Sequence, residues 1–222
     1  ILQWLGGIGI IVSAISILPN LGVGGMQLFR LESSDTSEKL LPRAASIASE
    51  ISVLYIALSV VCGISYWLIG LSPFNALVHA MSTIATGGFS SKSGSIGSFN
   101  NINLEFIAVF FMIISSLPFV LYLKAVRGRP SVIIKDQQVR GFFQILILSS
   151  ITVMSYLIIK GNFSSHEAIR YSLFNVTSIL TGTGFVTAEY DMWGTPIILI
   201  FLFITFIGGC AGSTTCGIKI FR

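Results

Sequence analysis

The sequence predicts an all-α, polytopic membrane protein made of repeated units, each with a span, a short re-entrant helix and a second span. Hydrophobic residues make up 53% of the 222 positions and charged residues only 10%, with a mean hydropathy of +0.86. Soluble domains carry about 25% charged residues. Several apolar stretches are long enough to cross a bilayer, and two shorter ones end in Thr-Gly sequences that would interrupt a helix.

Five apolar segments approach the roughly 20 residues that a helix needs to cross the membrane core. The first ends at Pro19, the third contains Pro118, which predicts a kink, and the fifth is interrupted at Gly208 and Gly209. The five predicted segments are Ile1–Leu18, Ile47–Leu71, Leu104–Val126, Val139–Ile159 and Thr195–Arg222.

Two further apolar stretches predict helices that are too short to span. Ser72-Pro73 supplies an N-cap and a favourable first residue for a helix over Phe74–Thr83. Ser164 and Glu167 have the spacing of a capping box, and the helix that they open should end near Ile179. Helices of this length fit re-entrant segments.

The basic residues predict the orientation of these spans. In a five-span arrangement, ten of the thirteen Lys and Arg residues fall on one side, in the Arg30–Arg43 loop, the Lys124–Arg140 stretch and the C-terminal end. The other side holds Lys92, Lys160 and Arg170. The positive-inside rule makes the first side cytoplasmic. Both short helices and their glycines then lie toward the outside.

The two short helices also predict an internal repeat. At an offset of 95 residues, Ser82–Gly87 lies over Thr177–Gly182, which makes Gly87 and Gly182 the glycine common to both copies. Repeated hydropathy with glycine-interrupted elements at matching positions indicates a binding site between the repeats.

The Thr-Gly sequences predict where that site lies. A dehydrated K⁺ needs several oxygen ligands, and an extended, glycine-containing backbone supplies carbonyls, as in the filters of potassium channels. A short helix aimed at the site adds the negative end of its dipole. The alternative is that both Thr-Gly sequences are ordinary outer turns. It is disfavoured because the sequence occurs twice, each time after a capped short helix. The predicted potassium-binding residues are Ala85, Thr86, Gly87, Gly88, Leu180, Thr181, Gly182 and Thr183.

A third glycine-rich stretch falls about a dozen residues into the fifth segment. Broken helix at membrane depth is tolerated where the backbone lines a cavity, so this stretch predicts a non-helical loop there. The alternative is a close helix-packing face of small residues. The candidate loop residues are Gly208, Gly209, Gly212, Ser213, Thr214, Thr215 and Gly217.

The sequence offers little sign of enzyme chemistry. The stretch "HEAIR" has Arg170 where a zinc protease motif requires its second His, and Ile218 separates the glycine from the lysine of a Walker-like stretch. The cysteines, an odd number without metal spacing, are predicted to be small buried residues: Cys62, Cys210 and Cys216. Neither an enzyme activity, a covalent cofactor nor a nucleic-acid partner is predicted.

Five stretches in this order resemble potassium-uptake subunits of the TrkH/TrkG type, in the Trk/Ktr/HKT superfamily. They are "QWLGGIGI" (Gln3–Ile10), "ESSD" (Glu32–Asp35), "TIATGGF" (Thr83–Phe89), "SILTGTGF" (Ser178–Phe185) and "AGSTTCGIK" (Ala211–Lys219). The resemblance implies four units of span, pore helix and span around one ion pathway, with an intramembrane gating loop at Gly208–Gly217. Cys216 stands where the family pattern leads us to expect Gly.

The same resemblance implies an internal piece of a longer protein. Residues 1–29 would be the last span of the first repeat, 30–46 a cytoplasmic loop, 47–126 the second repeat, 127–138 a basic cytoplasmic loop and 139–222 the third repeat. It further implies K⁺ as the transported ion, a bacterial inner-membrane location in contact with lipid, a homodimer and a cytoplasmic TrkA-type nucleotide-binding regulatory subunit. An alternating-access cation symporter and a non-conducting scaffold or degenerate subunit remain the alternatives.

Overall fold

A computed structural model describes residues 1–9, 40–161 and 163–220 of the chain. The remainder of the first predicted span, the Glu32–Asp35 motif, most of the Arg30–Arg43 loop and Arg222 lie outside these residues. In the described ranges residues 2–9 are helical, and the other regular elements are also helices. They are α1 (Leu40–Leu68), α2 (Pro73–Ile84), a 3₁₀ turn (Ser95–Phe99), α3 (Ile102–Ser116), α4 (Phe119–Val126), α5 (Ser131–Lys135), α6 (Gln137–Lys160), α7 (Ser165–Leu180), a second 3₁₀ turn (Tyr190–Trp193) and α8 (Thr195–Ile207).

The second and fourth predicted spans are confirmed as long apolar helices. Within α1, Ser46–Leu68 is long and apolar enough to cross a membrane, and so is the whole of α6. Helix α6 is capped at its start by Asp136, whose side chain accepts hydrogen bonds from two backbone N–H groups, and at its end by Gly161 in the left-handed conformation.

Both short helices form, close to the predicted bounds. Helix α2 begins after Ser72, whose hydroxyl accepts from the Asn75 N–H, and has Pro73 in its first position. Helix α7 begins with the predicted capping box: the Glu167 N–H donates to Ser164 Oγ at 3.4 Å, and the Ser164 N–H donates to Glu167 Oε2 at 3.0 Å. It ends at Leu180, one residue beyond the predicted end. Each short helix packs against the long helix before it.

The third predicted segment is sharply broken where the sequence predicted a kink within one span. Helices α3 and α4 meet at 91°. Leu117 is extended because the residue before proline is disfavoured in the helical conformation, and Pro118 lacks the N–H that would continue the helix. Backbone groups freed by the break bind the glycine-rich stretch: the Cys210 N–H donates to the Ser116 carbonyl and the Phe119 N–H to the Gly212 carbonyl, each at 3.0 Å.

The helix of the fifth segment ends at Ile207, as the glycines predicted, and residues 208–220 continue without regular helix. Helix α8 is apolar but shorter than a full span. The boundaries of the repeats themselves stay a prediction.

Two apolar cores hold these helices together. The first joins residues 2–9, α1, α2 and α3 around Tyr55, Tyr66 and Phe119. The second joins α6, α7 and α8 around Phe142 and Trp193. We call the helices around the first core the first unit and those around the second core the second unit. Helices α3 and α4 contribute side chains to both cores, so the two units are packed against each other.

Candidate functional site

The C-terminal ends of α2 and α7 have the same backbone hydrogen bonds. The Gly87 N–H donates to the Ser82 carbonyl at 2.7 Å, and the Thr183 N–H donates to the Ser178 carbonyl at 2.9 Å. In each case the preceding N–H donates to the carbonyl one residue further along the helix. These paired bonds form the Schellman motif, which turns the chain sharply away from the helix axis.

The backbone angles after the two helices also match. Thr86 and Gly182 occupy the left-handed position of the motif, with φ of +49° and +68°. Two residues later, Gly88 and Gly184 are left-handed as well, at +73° and +83°. Thr86 is a β-branched residue in a conformation that normally requires glycine, so the first turn is strained.

This geometry corrects the sequence alignment of the repeat by one residue. The hydrogen bonds and angles pair Thr86 with Gly182, an offset of 96 residues, whereas the sequence alignment had paired Gly87 with Gly182 at 95. The glycine common to both copies is therefore Gly88 with Gly184. The sequence alignment failed because it matched the two Thr-Gly pairs. In the first pair the threonine, Thr86, is left-handed, whereas in the second pair the glycine, Gly182, is left-handed.

We define the first loop as residues 85–89 and the second loop as residues 181–185. Their backbone carbonyls from Thr86 to Gly88 and from Thr181 to Gly184 accept no hydrogen bond from the described residues. Gly87 and Gly88 are half-buried and Gly182 and Gly184 are exposed, so open carbonyls in both loops lie where a ligand can reach them. Extended, glycine-containing backbone with open carbonyls is the chemistry that a dehydrated monovalent cation requires.

The two loops lie against each other. A Cβ on Gly88 would clash with the backbone carbonyl of Thr183, so the backbones are in direct contact. The side chain of Gln3, in the helical segment over residues 2–9, fills the space beside Gly87. Seven of the eight residues predicted to bind potassium therefore lie in these two adjacent loops, and Leu180 is the last residue of α7. Gln3 is a neighbour of the first loop that the sequence analysis missed.

The hydroxyl-bearing residues of the second loop are buried. Thr181 Oγ1 and Thr183 Oγ1 are 2.7 Å apart, and both side chains are almost fully covered. Ser178 Oγ donates to the Phe185 carbonyl at 2.6 Å, which ties the end of the loop to α7. The equivalent Ser82 Oγ in α2 is buried and has no partner among the described residues. The serine bond from the helix to the end of the loop is thus present in the second copy and, among the described residues, absent from the first.

Residues 208–218, which we call the glycine-rich loop, are non-helical, and hydroxyl side chains of the loop make hydrogen bonds within it. Ser213 Oγ donates to the Cys210 carbonyl at 2.7 Å, and Thr215 Oγ1 accepts from the Gly209 N–H at 3.1 Å. Gly208 and Gly217 pack backbone to backbone, so closely that a Cβ on either would overlap the other. A helical packing face at this stretch, the alternative from the sequence, is therefore wrong.

The glycine-rich loop lies directly beside both turns. Thr214 Oγ1 is 3.0 Å from the Ile84 carbonyl oxygen at the end of α2. A Cβ on Gly182 would be 3.6 Å from the Cβ of Cys216. The thiol of Cys216 is exposed, contrary to the predicted burial, while those of Cys62 and Cys210 are buried as predicted.

On the opposite side of the turns, the loop that follows the first turn binds the chain that follows the second. The Gly97 N–H donates to the Val186 carbonyl at 3.0 Å, and the Val186 N–H donates to Ser95 Oγ at 3.2 Å. Asn175 Nδ2 in α7 donates to Thr187 Oγ1 at 3.0 Å. No sequence signal marked these contacts, because each joins residues that are distant in the chain or that have no recognisable spacing.

Two ionisable groups help to fix the short helices. His79 is fully buried in α2 and has Nδ1 2.7 Å from the Asn75 carbonyl oxygen and Nε2 2.9 Å from Ser90 Oγ. Since a carbonyl only accepts, Nδ1 carries a proton. At the start of α7, hydrogen bonds from the Ser164 hydroxyl and N–H lower the pKa of Glu167, which favours its charged form beside the positive helix end.

Comparisons with known proteins agree with this architecture. The family model for TrkH, described as cation transport protein, matches residues 1–222. Trk system potassium uptake protein TrkI from Halomonas elongata is 42% identical over 223 residues, which are 100% of this chain and 45% of that protein. Trk system potassium uptake protein TrkH from Vibrio parahaemolyticus is 40% identical over 229 residues, 100% of this chain and 47% of that protein. The crystal structure of the potassium transporter TrkH from Vibrio parahaemolyticus matches with a TM-score of 0.88 at 38% identity, covering 100% of this chain and 45% of that one.

Repeated spans and re-entrant helices with adjacent Thr-Gly turns define an all-α membrane protein of the potassium-channel-like class. The chain belongs to the TrkH family of cation transport proteins. The predicted resemblance and fold class are thereby confirmed. The family is one of transporters and not of enzymes, in agreement with the prediction from the sequence. The chain spans about half the length of the curated relatives that it matches.

Proposed function

We propose that this chain forms part of a potassium uptake pathway across the bacterial inner membrane, with the first and second loops as two segments of a backbone-carbonyl filter. The observation that carries the proposal is the set of open carbonyls from Thr86 to Gly88 and from Thr181 to Gly184. Carbonyls without hydrogen-bond donors remain free to replace the water around a dehydrated cation. The relatives named above are called potassium uptake proteins, which supports K⁺ as the ion.

The helix ends add to this chemistry. Helices α2 and α7 both end at the loops, so each brings the negative end of its dipole to the same place. Contact between Gly88 and the Thr183 carbonyl keeps the two turns close enough to serve one ion. No carboxylate is needed at such a site, because dipoles hold a monovalent cation weakly enough for it to leave.

The glycine-rich loop is proposed as the gate below this filter. Its hydrogen bonds to α2 and to the broken ends of α3 and α4 join it to both units, while its own backbone lacks helical support. Hydrogen bonds to its neighbours, rather than a continuous helix, hold the loop in place, so it can change position without the unfolding of a span.

The partners belong to the proposal as well. We infer a homodimer and a cytoplasmic TrkA-type nucleotide-binding subunit from family membership. The exposed basic residues after α4 offer a surface on which such a subunit can dock: Arg127, Arg129, Lys135 and Arg140. Arg127 is already paired with Glu50 at 2.6 Å, which leaves the others for a partner.

A flux measurement on the full-length protein in liposomes tests the proposal. We expect K⁺ flux down its gradient, a clear preference over Na⁺, and turnover far above that of a carrier that must change conformation for each ion. Turnover at the carrier level with coupling to Na⁺ or H⁺ would support an alternating-access symporter instead. No K⁺ flux from correctly inserted protein would support the non-conducting scaffold.

A further inference from the structure

A buried ion pair joins the two units behind the filter. Arg170 Nε donates to Glu105 Oε2 at 2.7 Å, and Arg170 Nη2 donates to Glu105 Oε1 at 3.0 Å. The Glu105 side chain is 3% exposed and that of Arg170 18% exposed. The guanidinium also lies 4.8 Å from the centre of the Tyr171 ring. This two-bond geometry fixes both the distance and the relative rotation of the two side chains.

The pair connects elements that belong to different predicted repeats. Glu105 lies in the first turn of α3, the span that follows the first loop, and Arg170 lies in α7, the short helix that leads to the second loop. Helices α3 and α7 pack directly against each other. The other ion pair among the described residues, between Arg127 and Glu50, has side chains 64% and 36% exposed, so only the first pair is desolvated.

Helix α7 transmits its position to the second loop through two further contacts. Asn175 Nδ2 donates to Thr187 Oγ1 at 3.0 Å, and Ser178 Oγ donates to the Phe185 carbonyl at 2.6 Å. Arg170, Asn175 and Ser178 lie along one short helix, so a shift of α7 along its axis would move both attachment points together. The open carbonyls of the second loop lie between these attachments and the helix end.

Stability alone gives a weak reason for such a pair. Desolvating two charges costs about as much as their attraction returns, and apolar residues of similar volume often serve as well or better. A bidentate pair does, however, accept only one register between the helices that carry it. An apolar contact between α3 and α7 would tolerate sliding and rotation.

We propose that Glu105 and Arg170 are a positioning pair for ion selectivity, holding α7 at the height that aligns the second loop with the first. The inference rests on the proposed filter function. Neither residue touches the open carbonyls, so both act through α7. Loss of the pair should therefore reduce discrimination between K⁺ and Na⁺ while leaving a conducting pathway.

The experiment compares single and double variants of the full-length protein in liposomes. Glu105→Gln and Arg170→Lys remove the bidentate geometry with little change in volume, and Glu105→Leu with Arg170→Met replaces the pair by apolar side chains. Glu50→Gln, which removes the exposed pair, is the matched control. Permeability ratios for K⁺ over Na⁺ and thermal unfolding in detergent are measured on the same preparations.

We expect the single variants to lose about threefold or more of the K⁺ over Na⁺ ratio, as for residues that act on a site without touching it. The double apolar variant should unfold at or above the wild-type temperature and still have the lowered ratio. A double variant with wild-type stability and a wild-type ratio would overturn the inference, because packing alone would then suffice. If single variants fail to reach the membrane, the double variant decides. Wild-type protein without K⁺ preference would overturn the proposed function itself.

Discussion

Thr214 Oγ1 lies 3.0 Å from the carbonyl oxygen of Ile84, the last residue of the helix that leads into the first loop. The same hydroxyl is 3.1 Å from the Ser115 carbonyl oxygen, at the break between α3 and α4. Thr86 Oγ1 approaches the Thr214 carbonyl in turn, at 3.1 Å. One residue of the glycine-rich loop therefore contacts the base of the first loop and the bend of the following span, and a movement of the loop must break these contacts.

The first prediction follows from that contact. Thr214→Val keeps the shape of the side chain but removes the hydroxyl, and each such hydrogen bond stabilises a structure by about 1 kcal/mol. The loop should then leave its resting position more easily, so K⁺ uptake should rise severalfold and depend less on the regulatory partner. Uptake by cells that express the full-length variant, with and without the partner, measures this.

Thr205→Val is the control, because Thr205 Oγ1 donates to the Phe201 carbonyl within its own helix. It should leave uptake and regulation unchanged. Fully regulated, wild-type uptake by the Thr214 variant at equal protein amount would contradict a gating role for the loop.

The second prediction concerns the glycine that the two turns share. Gly184 has φ of +83°, and no atom lies within 4 Å of the position that a Cβ would occupy, so Gly184→Ala meets strain of about 1–2 kcal/mol but no clash. We expect the strain to shift the neighbouring carbonyls and to lower the K⁺ over Na⁺ ratio. Gly161→Ala is a close control, since Gly161 has φ of +71°, equal free space and a position at the end of α6.

Flux ratios and thermal unfolding of both glycine variants separate the two effects. Both variants should lose similar stability, and only the Gly184 variant should lose selectivity. Equal selectivity in the two variants would make Gly184 a turn residue rather than part of a filter.

Much of the fold could be predicted because local signals decide it. Apolar length marked α1 and α6, and the caps at Ser72 and Ser164 marked both short helices to within a residue or two. The 91° break at Pro118 was underestimated, because a proline in a sequence predicts a kink. Its size depends on the glycine-rich loop, which binds the Ser116 carbonyl and the Phe119 N–H from almost a hundred residues away.

The site was predicted less completely, for a physical reason. Residue types located both turns, but the register depends on which residue adopts a positive φ, and Thr86 does so against its own preference. The Glu105–Arg170 pair could not be predicted either, since its partners are 65 positions apart and neither belongs to a motif. Contacts between distant segments follow from packing, which a pattern in one stretch does not contain.

The third prediction is a pH dependence at the start of α7. The Ser164 hydroxyl and N–H lower the pKa of Glu167, below a value of about 4.3 in the unfolded chain. A depressed folded pKa means that the carboxylate stabilises the protein above the unfolded pKa, and that this contribution is lost as pH falls through the folded pKa. Wild-type protein should therefore unfold at a higher temperature than Glu167→Gln at pH 7, and the difference should shrink toward pH 3.

Thermal unfolding of both proteins in the same detergent across that range tests the sign. Glu189→Gln, at an exposed residue outside α7, controls for the general effect of removing a negative charge. A difference that stayed constant or grew with falling pH would contradict the assignment of Glu167 to the capping box as a charged group.

The last prediction concerns orientation, which the basic residues alone suggest. Single cysteines are introduced into full-length protein whose native cysteines have been replaced. Ser93→Cys and Ser165→Cys lie at exposed positions beside the first loop and at the start of α7, and Ser131→Cys lies at an exposed position in the basic stretch. The positive-inside rule places the first two outside and the third in the cytoplasm. In intact cells an impermeant thiol reagent should label positions 93 and 165, and it should label position 131 only after permeabilisation.

The three positions are comparably exposed, so accessibility of the side chain itself does not distinguish them. Labelling of position 131 from outside, with protection of 93 and 165, would reverse the orientation and put the open carbonyls on the cytoplasmic side of the glycine-rich loop.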